Sequence, residues 1–352
     1  MAARIRRSDC SGPGITRVRR GKGFAYLDAG GEHVTDEETL ARIRSLAVPP
    51  AWKDVWICAD PRGHLQAVGI DDAGRRQYLY HERWRRHRDR EKFDKMLDFA
   101  RALPKLRRAV KRDIAGDELT RERVLAGAVR LLDHGFFRIG SESYAEQNES
   151  YGLATLKKGH VRVADDMAVF DYVAKSGQRR VQTIHDPAAI RLIRQLKARR
   201  GGSDELLAWR DGRRWADVQS SDINEYLKGA VGEEFSAKDF RTWNATVLAA
   251  VWLAANGSLN GTATKTSRKR MVTEAVKAVA FFLGNTPAVC RNSYIDPRVF
   301  DRYASGWTVG GALTSNGEGA FIQNDRVRTR IERGVIDLLE ERRRSPALER
   351  VD

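Results

Sequence analysis

Residues Trp243–Ala255, WNATVLAAVWLAA, are almost wholly apolar. A helix without a polar face has nowhere to sit but a core, so this stretch predicts a buried helix with other elements packed around it. A chain of 352 residues can supply that packing. At roughly 150 residues per domain its length predicts two domains.

Further helices are predicted around the buried one. Leu119–Leu132 puts Leu125, Ala128, Val129 and Leu132 on one face, at helical spacing. Asp186-Pro187 reads as a cap and first-turn proline, opening a helix with Ile190, Ile193 and Leu196 inward that stops at Gly201-Gly202. Ser267 is expected to cap a helix with Val272, Ala275, Val276, Val279, Phe282 and Leu283 inward, ended by Gly284. Asp296-Pro297 opens another, and a charged helix over about 325–343 is the last. From Ile15 to Tyr80 the pattern changes to short β-rich runs parted by turn clusters such as Gly30-Gly31 and Pro61-Arg62-Gly63. A helix is expected there at Asp36–Leu46, with Thr35 as its cap. The charge run from His81, HERWRRHRDREKFDKM, reads as a solvated helix face at a domain boundary near residue 90. His160–Val163, Met167–Ala174 and Arg179–Ile184 alternate like strands, with Ser176-Gly177 as a turn and Lys175 at the tip of a hairpin. The fold class is therefore α+β: a small β-rich N-terminal domain, 1–90, and a larger, mainly α domain, 91–352, interrupted by a β-hairpin insertion.

Lys and Arg number 63 against 47 Asp and Glu, a net charge of +16. That excess favours a polyanionic partner, nucleic acid before an anionic membrane surface. No apolar run approaches the ~18–20 residues of a membrane span, and no lipidation motif is present. The opening MAARIRRSDC lacks the apolar core of a signal peptide. Cys10, Cys58 and Cys290 are scattered and odd in number. They fit neither a disulfide framework nor a zinc site, which suits buried thiols in a cytoplasmic protein. Phosphate-binding G-x-x-x-x-G-K-[ST], H-E-x-x-H and D-x-D motifs are all missing, so no cofactor is expected.

Chemistry on a phosphodiester would then fall to side-chain cations that stabilise a pentavalent transition state. Leu283–Tyr294, LGNTPAVCRNSY, closes a long helix, turns at Gly284, Asn285 and Pro287, and presents Tyr294. Arg138 follows a helix end in HGFFRIGSESY, among Phe136, Phe137 and Ile139. Lys175 stands at the hairpin tip, and SAKDFRTWN offers Lys238 and Arg241 three apart, immediately before the buried helix. Taken singly, each cation reads as an ion pair or a solvated charge, and a lone tyrosine as an amphipathic packing residue.

In this order, Arg–Lys–(Lys-x-x-Arg)–Asn–Tyr resembles the catalytic set of the type IB DNA topoisomerases. The likeness is to the bacterial branch related to the poxvirus enzymes. FRIGSESYAEQNESYGLATLKKGHV, DFRTWNATVLAA, GNTPAVCRNSYIDP and, nearer the N-terminus, QYLY carry it. The resemblance implies that Tyr294 attacks the scissile phosphate and becomes linked to the 3′ phosphate. Arg138 and Arg241 then contact nonbridging oxygens, Lys175 protonates the leaving 5′ oxygen, and Lys238 is a supporting cation. Asn285 donates a hydrogen bond where the poxviral enzymes carry histidine. Gln77, Tyr78 and Tyr80 in RRQYLYH become DNA contacts. It further implies a monomer in the nucleoid, closing as a clamp on duplex DNA and relaxing supercoils of either sign without ATP or metal. Two other readings share some of these features. One is a tyrosine recombinase, which normally has His-x-x-Arg where this chain has Lys238 to Arg241. The other is a basic DNA-binding protein with no catalysis.

Overall fold

The computed structural model describes residues 4–142, 145, 148–257, 264–313 and 325–351. Two compact units emerge, Met1–Asp94 and Lys95–Asp352. The first is a β-sheet region and the second is mainly helical, so the chain is α+β.

In the first unit, strands β1 (Ile15–Arg20), β2 (Gly23–Leu27), β3 (Lys53–Ile57), β4 (Leu65–Ile70) and β5 (Arg76–Tyr80) form one sheet. Its order is β2-β1-β3-β4-β5, with every neighbouring pair antiparallel. Ile15, Ile43, Val55, Ile57 and Ala67 are buried together beneath it. Helix α1 (Glu37–Ser45) is capped by Asp36 rather than by Thr35: the Asp36 carboxylate accepts from Thr39 N at 2.8 Å. Strand β5 lies at the sheet edge, and its alternation separates two faces. Leu79 packs on the core, whereas Arg76, Tyr78 and Tyr80 are exposed on the other side.

The helices follow in chain order as α2 (Glu82–Asp113), α3 (Arg121–Gly135), α4 (Pro187–Ala198), α5 (Ser220–Val231), α6 (Ala237–Gly257), α7 (Lys265–Leu283), α8 (Pro287–Ser293), α9 (Pro297–Ala304) and α10 (Asp325–Leu339). The predicted buried helix is α6, and Trp243, Ala245, Val247, Ala249 and Leu253 are all buried. It starts six residues earlier than its apolar run, because Ser236 donates from both N and Oγ to Asp239 and so caps a polar first turn. Lys238 and Arg241 therefore lie on this helix and not ahead of it. Helix α7 likewise begins early. Thr264, not Ser267, is its cap, accepting from Ser267 N. Its far end also departs from expectation: Phe282 is exposed, beside an exposed Phe281, because the final turn has run past the core and Phe282 packs on Phe136 and edge-on against Phe281. The predicted caps Asp186 and Asp296 hold for α4 and α9.

A three-stranded antiparallel sheet lies between α3 and α4 in the chain, in the order β6 (Val161–Val163), β7 (Ala168–Ala174), β8 (Gln178–Ile184). Lys175–Gly177 links β7 to β8, with Ser176 at φ 67° and Gly177 at φ 70°. A buried ion cluster braces the helices behind. Asp133 of α3 and Glu332 of α10 share Arg107 of α2 and Arg328 of α10, and Asn244 of α6 joins through Arg328 and Asp133 O. Three helices, α2, α3 and α10, are thereby fixed against α6, the helix that carries Arg241. Among the described residues no helix is long and apolar enough to cross a membrane.

Candidate active site

The last turn of a helix leaves its carbonyls without intrahelical donors and concentrates the negative end of the helix dipole. At the C-terminus of α7 arginines from three separate elements take up those carbonyls. Arg180 of β8 donates to Phe281 O at 2.7 Å and to Phe282 O. Arg241 of α6 donates to Leu283 O at 2.9 Å, and also to Phe136 O at 2.8 Å. Arg138, just past α3, donates to Gly284 O at 2.7 Å and to Asn285 Oδ1. Three like charges can gather here because each lies on a carbonyl dipole.

Local structure fixes each of the three. Phe136 adopts φ 55°, turning the chain sharply out of α3. Gly140 then lies against Gly152 so closely that a Cβ on Gly152 would stand 2.4 Å from the Gly140 backbone. Leu153 N and Ala154 N donate back to Arg138 O and Ile139 O at 2.8 Å, which holds the arginine's backbone. Arg241 is buried within α6. Burial and the neighbouring Arg138 push its pKa down to about 10, so it stays charged at neutral pH. Gly284, at φ 61°, reverses the chain, and Asn285 N donates to Ala280 O at 3.1 Å.

From there Thr286 caps α8 and Tyr294 closes it, its N–H on Cys290 O. The expected turn between Asn285 and Tyr294 is thus a short helix, and Pro287 is its first residue. The Tyr294 ring lies under Arg241, with the guanidinium carbon 5.2 Å from the ring centroid. Thr246 of α6 holds the junction beyond, donating to Tyr294 O and accepting from Asp296 N.

Two tyrosines sit among these arginines, and they differ. Tyr172 of β7 is buried and donates its hydroxyl to Gln182 at 2.8 Å. Burial outweighs Arg180, Arg241 and Arg138, and its pKa rises to about 12. Tyr294 is half-buried. Burial alone would raise its pKa, yet the charges of Arg241, Arg138 and Lys238 hold it below the ordinary tyrosine value. Only Tyr294 is biased toward phenolate. Two buried donors at this point, Arg241 Nε and Asn285 Nδ2, have no acceptor among the described residues. Such groups are costly to leave unmade in a folded protein and are suited to an oxygen that arrives with a substrate.

Of the expected site residues, then, Arg138, Arg241, Asn285 and Tyr294 come together, and Lys238 lies exposed one turn before Arg241, close enough to act on Tyr294. Lys175 is exposed in the β7–β8 link. In the first unit Tyr78 and Tyr80 stack at 6.2 Å with Arg76 over the Tyr78 ring. Gln77 lies on the opposite face of β5, donating to Asp71 at 2.9 Å. Sequence reasoning missed Arg180 and Tyr172. The period of β8 held the signal for Arg180, which shares an inward face with Gln182 and Ile184.

Comparison with known proteins fits this arrangement. Residues 81–306 match the family described as eukaryotic DNA topoisomerase I, catalytic core, and residues 23–71 match the bacterial DNA topoisomerase IB N-terminal domain. This chain belongs to the type IB DNA topoisomerases. DNA topoisomerase 1B of Acanthamoeba polyphaga mimivirus is 32% identical over 80% of this chain and 85% of its own length. DNA topoisomerase 1B of vaccinia virus (strain Copenhagen) is 23% identical over 66% of this chain and 71% of its own. DNA topoisomerase 1 beta of Arabidopsis thaliana is 27% identical over 45% of this chain and 16% of its own. The topoisomerase is a DNA-binding isomerase whose substrate is duplex DNA, and the family match on the helical unit spans Arg138 through Tyr294.

Proposed function

We propose that the protein relaxes supercoils of either sign by cutting one DNA strand through Tyr294, letting the free end rotate, and resealing it. The observation that carries this is the lowered pKa of Tyr294 beneath Arg241, beside the unpaired donors of Arg241 and Asn285. The phenolic oxygen of Tyr294 bonds to phosphorus as the bond to O5′ breaks. The phenol proton passes to solvent, and the Lys175 ammonium gives a proton to O5′. A 3′-phosphotyrosine and a 5′ hydroxyl result, and the reverse attack reseals the strand. Phosphorus keeps its oxidation state and the ester energy is kept in the phosphotyrosine, so no ATP is consumed.

Arg138 and Arg241 bind the nonbridging oxygens, for which a planar, permanently charged fork is suited. Asn285 donates Nδ2 to one of the same oxygens, and Lys238 supports the charge. These cations do the electrostatic work without a metal ion. Tyr78 and Tyr80 meet DNA from the first domain, 1–90, and Gln77 is the third contact there. The protein acts as a monomer on nucleoid DNA, its first domain and the catalytic domain, 91–352, closing as a clamp.

The test is a supercoiled plasmid incubated with chelator and without ATP, then quenched with denaturant. Wild type relaxes both positive and negative supercoils and leaves a covalent protein–DNA band. Tyr294→Phe leaves no band and no relaxation while binding DNA nearly as before. Relaxation by that variant would remove Tyr294 from the mechanism.

A further inference from the structure

We propose that Arg180 is a positioning residue of the cleavage step, anchoring the strand pair that carries Lys175 to the last turn of α7. The inference rests on the reading of Lys175 as the acid. Arg180 spans two carbonyls, Phe281 O at 2.7 Å and Phe282 O. Its stem crosses Gly284 so closely that a Cβ there would stand 3.1 Å from Arg180 Cδ. Burial, and the charge of Arg138 nearby, lower its pKa against the pull of Tyr172. Two charge-assisted bonds at the negative end of a helix are the strong kind.

Two other polar ties of this strand pair lead elsewhere. Gln182 donates to Gly135 O at the end of α3, and Arg179 pairs with Asp171 inside the sheet. Arg180 joins β8 to α7, whose end sets the Asn285 amide and leads on to Tyr294. Both of its terminal nitrogens are used on protein carbonyls, and where Arg241 keeps a buried Nε without an acceptor, Arg180 has no such donor among the described residues, so its work is to set where the Lys175 link stands relative to the phosphate oxygens, not to bind phosphate itself. Misplacement of a reacting group by about 1 Å costs on the order of 10²-fold in rate.

The experiment measures single-turnover cleavage by wild type, Lys175→Ala, Arg180→Ala and Arg180→Lys. Each acts on an ordinary duplex and on one with sulfur at the scissile 5′ bridging position, a leaving atom that needs no acid. Arg180→Ala should be slower by about 10²-fold on the oxygen substrate and close to wild type on the sulfur substrate, with DNA affinity unchanged. Arg180→Lys, which keeps the charge but has one donor nitrogen in place of the two-nitrogen fork, should fall between and be rescued in the same way; it carries the test if Arg180→Ala does not fold. Equal slowing on both substrates, weakened DNA binding, or no slowing at all overturns the anchoring role. A Lys175→Ala protein that stays slow on sulfur brings down the acid assignment and the anchor with it. A rescued Lys175→Ala beside an unrescued Arg180→Ala overturns the anchor alone.

Discussion

Asn285 has its amide orientation settled by one contact. Arg138 donates to Oδ1, which leaves Nδ2 buried and without an acceptor among the described residues. An amide donates without titrating near neutrality. Asn285→Ala should therefore slow cleavage by roughly 10²–10³-fold, the scale of one lost oxyanion donor. Asn285→His should keep substantial activity, with a new pH dependence around the ordinary imidazole pKa of about 6.5. Asparagine is also a good turn residue after a helix-ending glycine, and a purely capping role makes a different prediction. Single-turnover cleavage and melting temperature on one Asn285→Ala sample separate them: normal cleavage with a lowered melting point would take Asn285 out of the active site.

At the scale of elements, the C-terminal turn of α7 organises the site, and Gly284 is its weakest point. Its φ of 61° disfavours any Cβ, and the Arg180 stem closes the space above it. Gly284→Ala should cost about 1–2 kcal/mol from the left-handed backbone and slow cleavage as well, because Arg180 and Asn285 both shift. Denaturant unfolding and single-turnover cleavage measure the two effects, and a variant with full activity would show that this turn does not set the site. Much of this element could be read from the sequence. Gly284 stops the helix as expected, and four of the residues singled out in the sequence, Arg138, Arg241, Asn285 and Tyr294, lie together at its end. What the sequence hid was non-local. A backbone carbonyl has no letter in a sequence, so nothing showed that arginines far apart in the chain share one helix end. Early starts were missed where a polar first turn precedes an apolar run, as at Ser236 and Thr264. The hairpin of Ala208–Asp211 with Arg214–Asp217 was also passed over, although Asp211-Gly212 is a strong turn signal.

For the whole molecule, the ion cluster behind α6 makes stability depend on pH. His134, next to Asp133, is held neutral down to about 4 by burial and by Arg328 and Arg130, against the pull of Asp133 and Asp186. The unfolded chain takes up this proton near 6.5. The folded chain does so only near 4, so the unfolded state binds more protons between those values. The contribution of His134 is complete above pH 6.5 and is lost as pH falls toward 4, at up to about 1.4 kcal/mol per unit. Unfolding free energy measured from pH 7 to pH 5 should fall for wild type and fall less steeply for His134→Gln. Equal slopes would mean that His134 takes up its proton in the folded protein at the same pH as in the unfolded chain.

The arginines at the end of α7 grip atoms that every residue possesses, and this shifts what variation the region can absorb. Side chains at Phe281, Phe282 and Leu283 can change without removing a single acceptor from Arg180 or Arg241. Length cannot. One residue added within α7 turns its end by about 100° and moves it by about 1.5 Å, so every carbonyl leaves its arginine together. Related chains should therefore vary in spelling along this turn far more freely than in the number of residues between Thr264 and Tyr294.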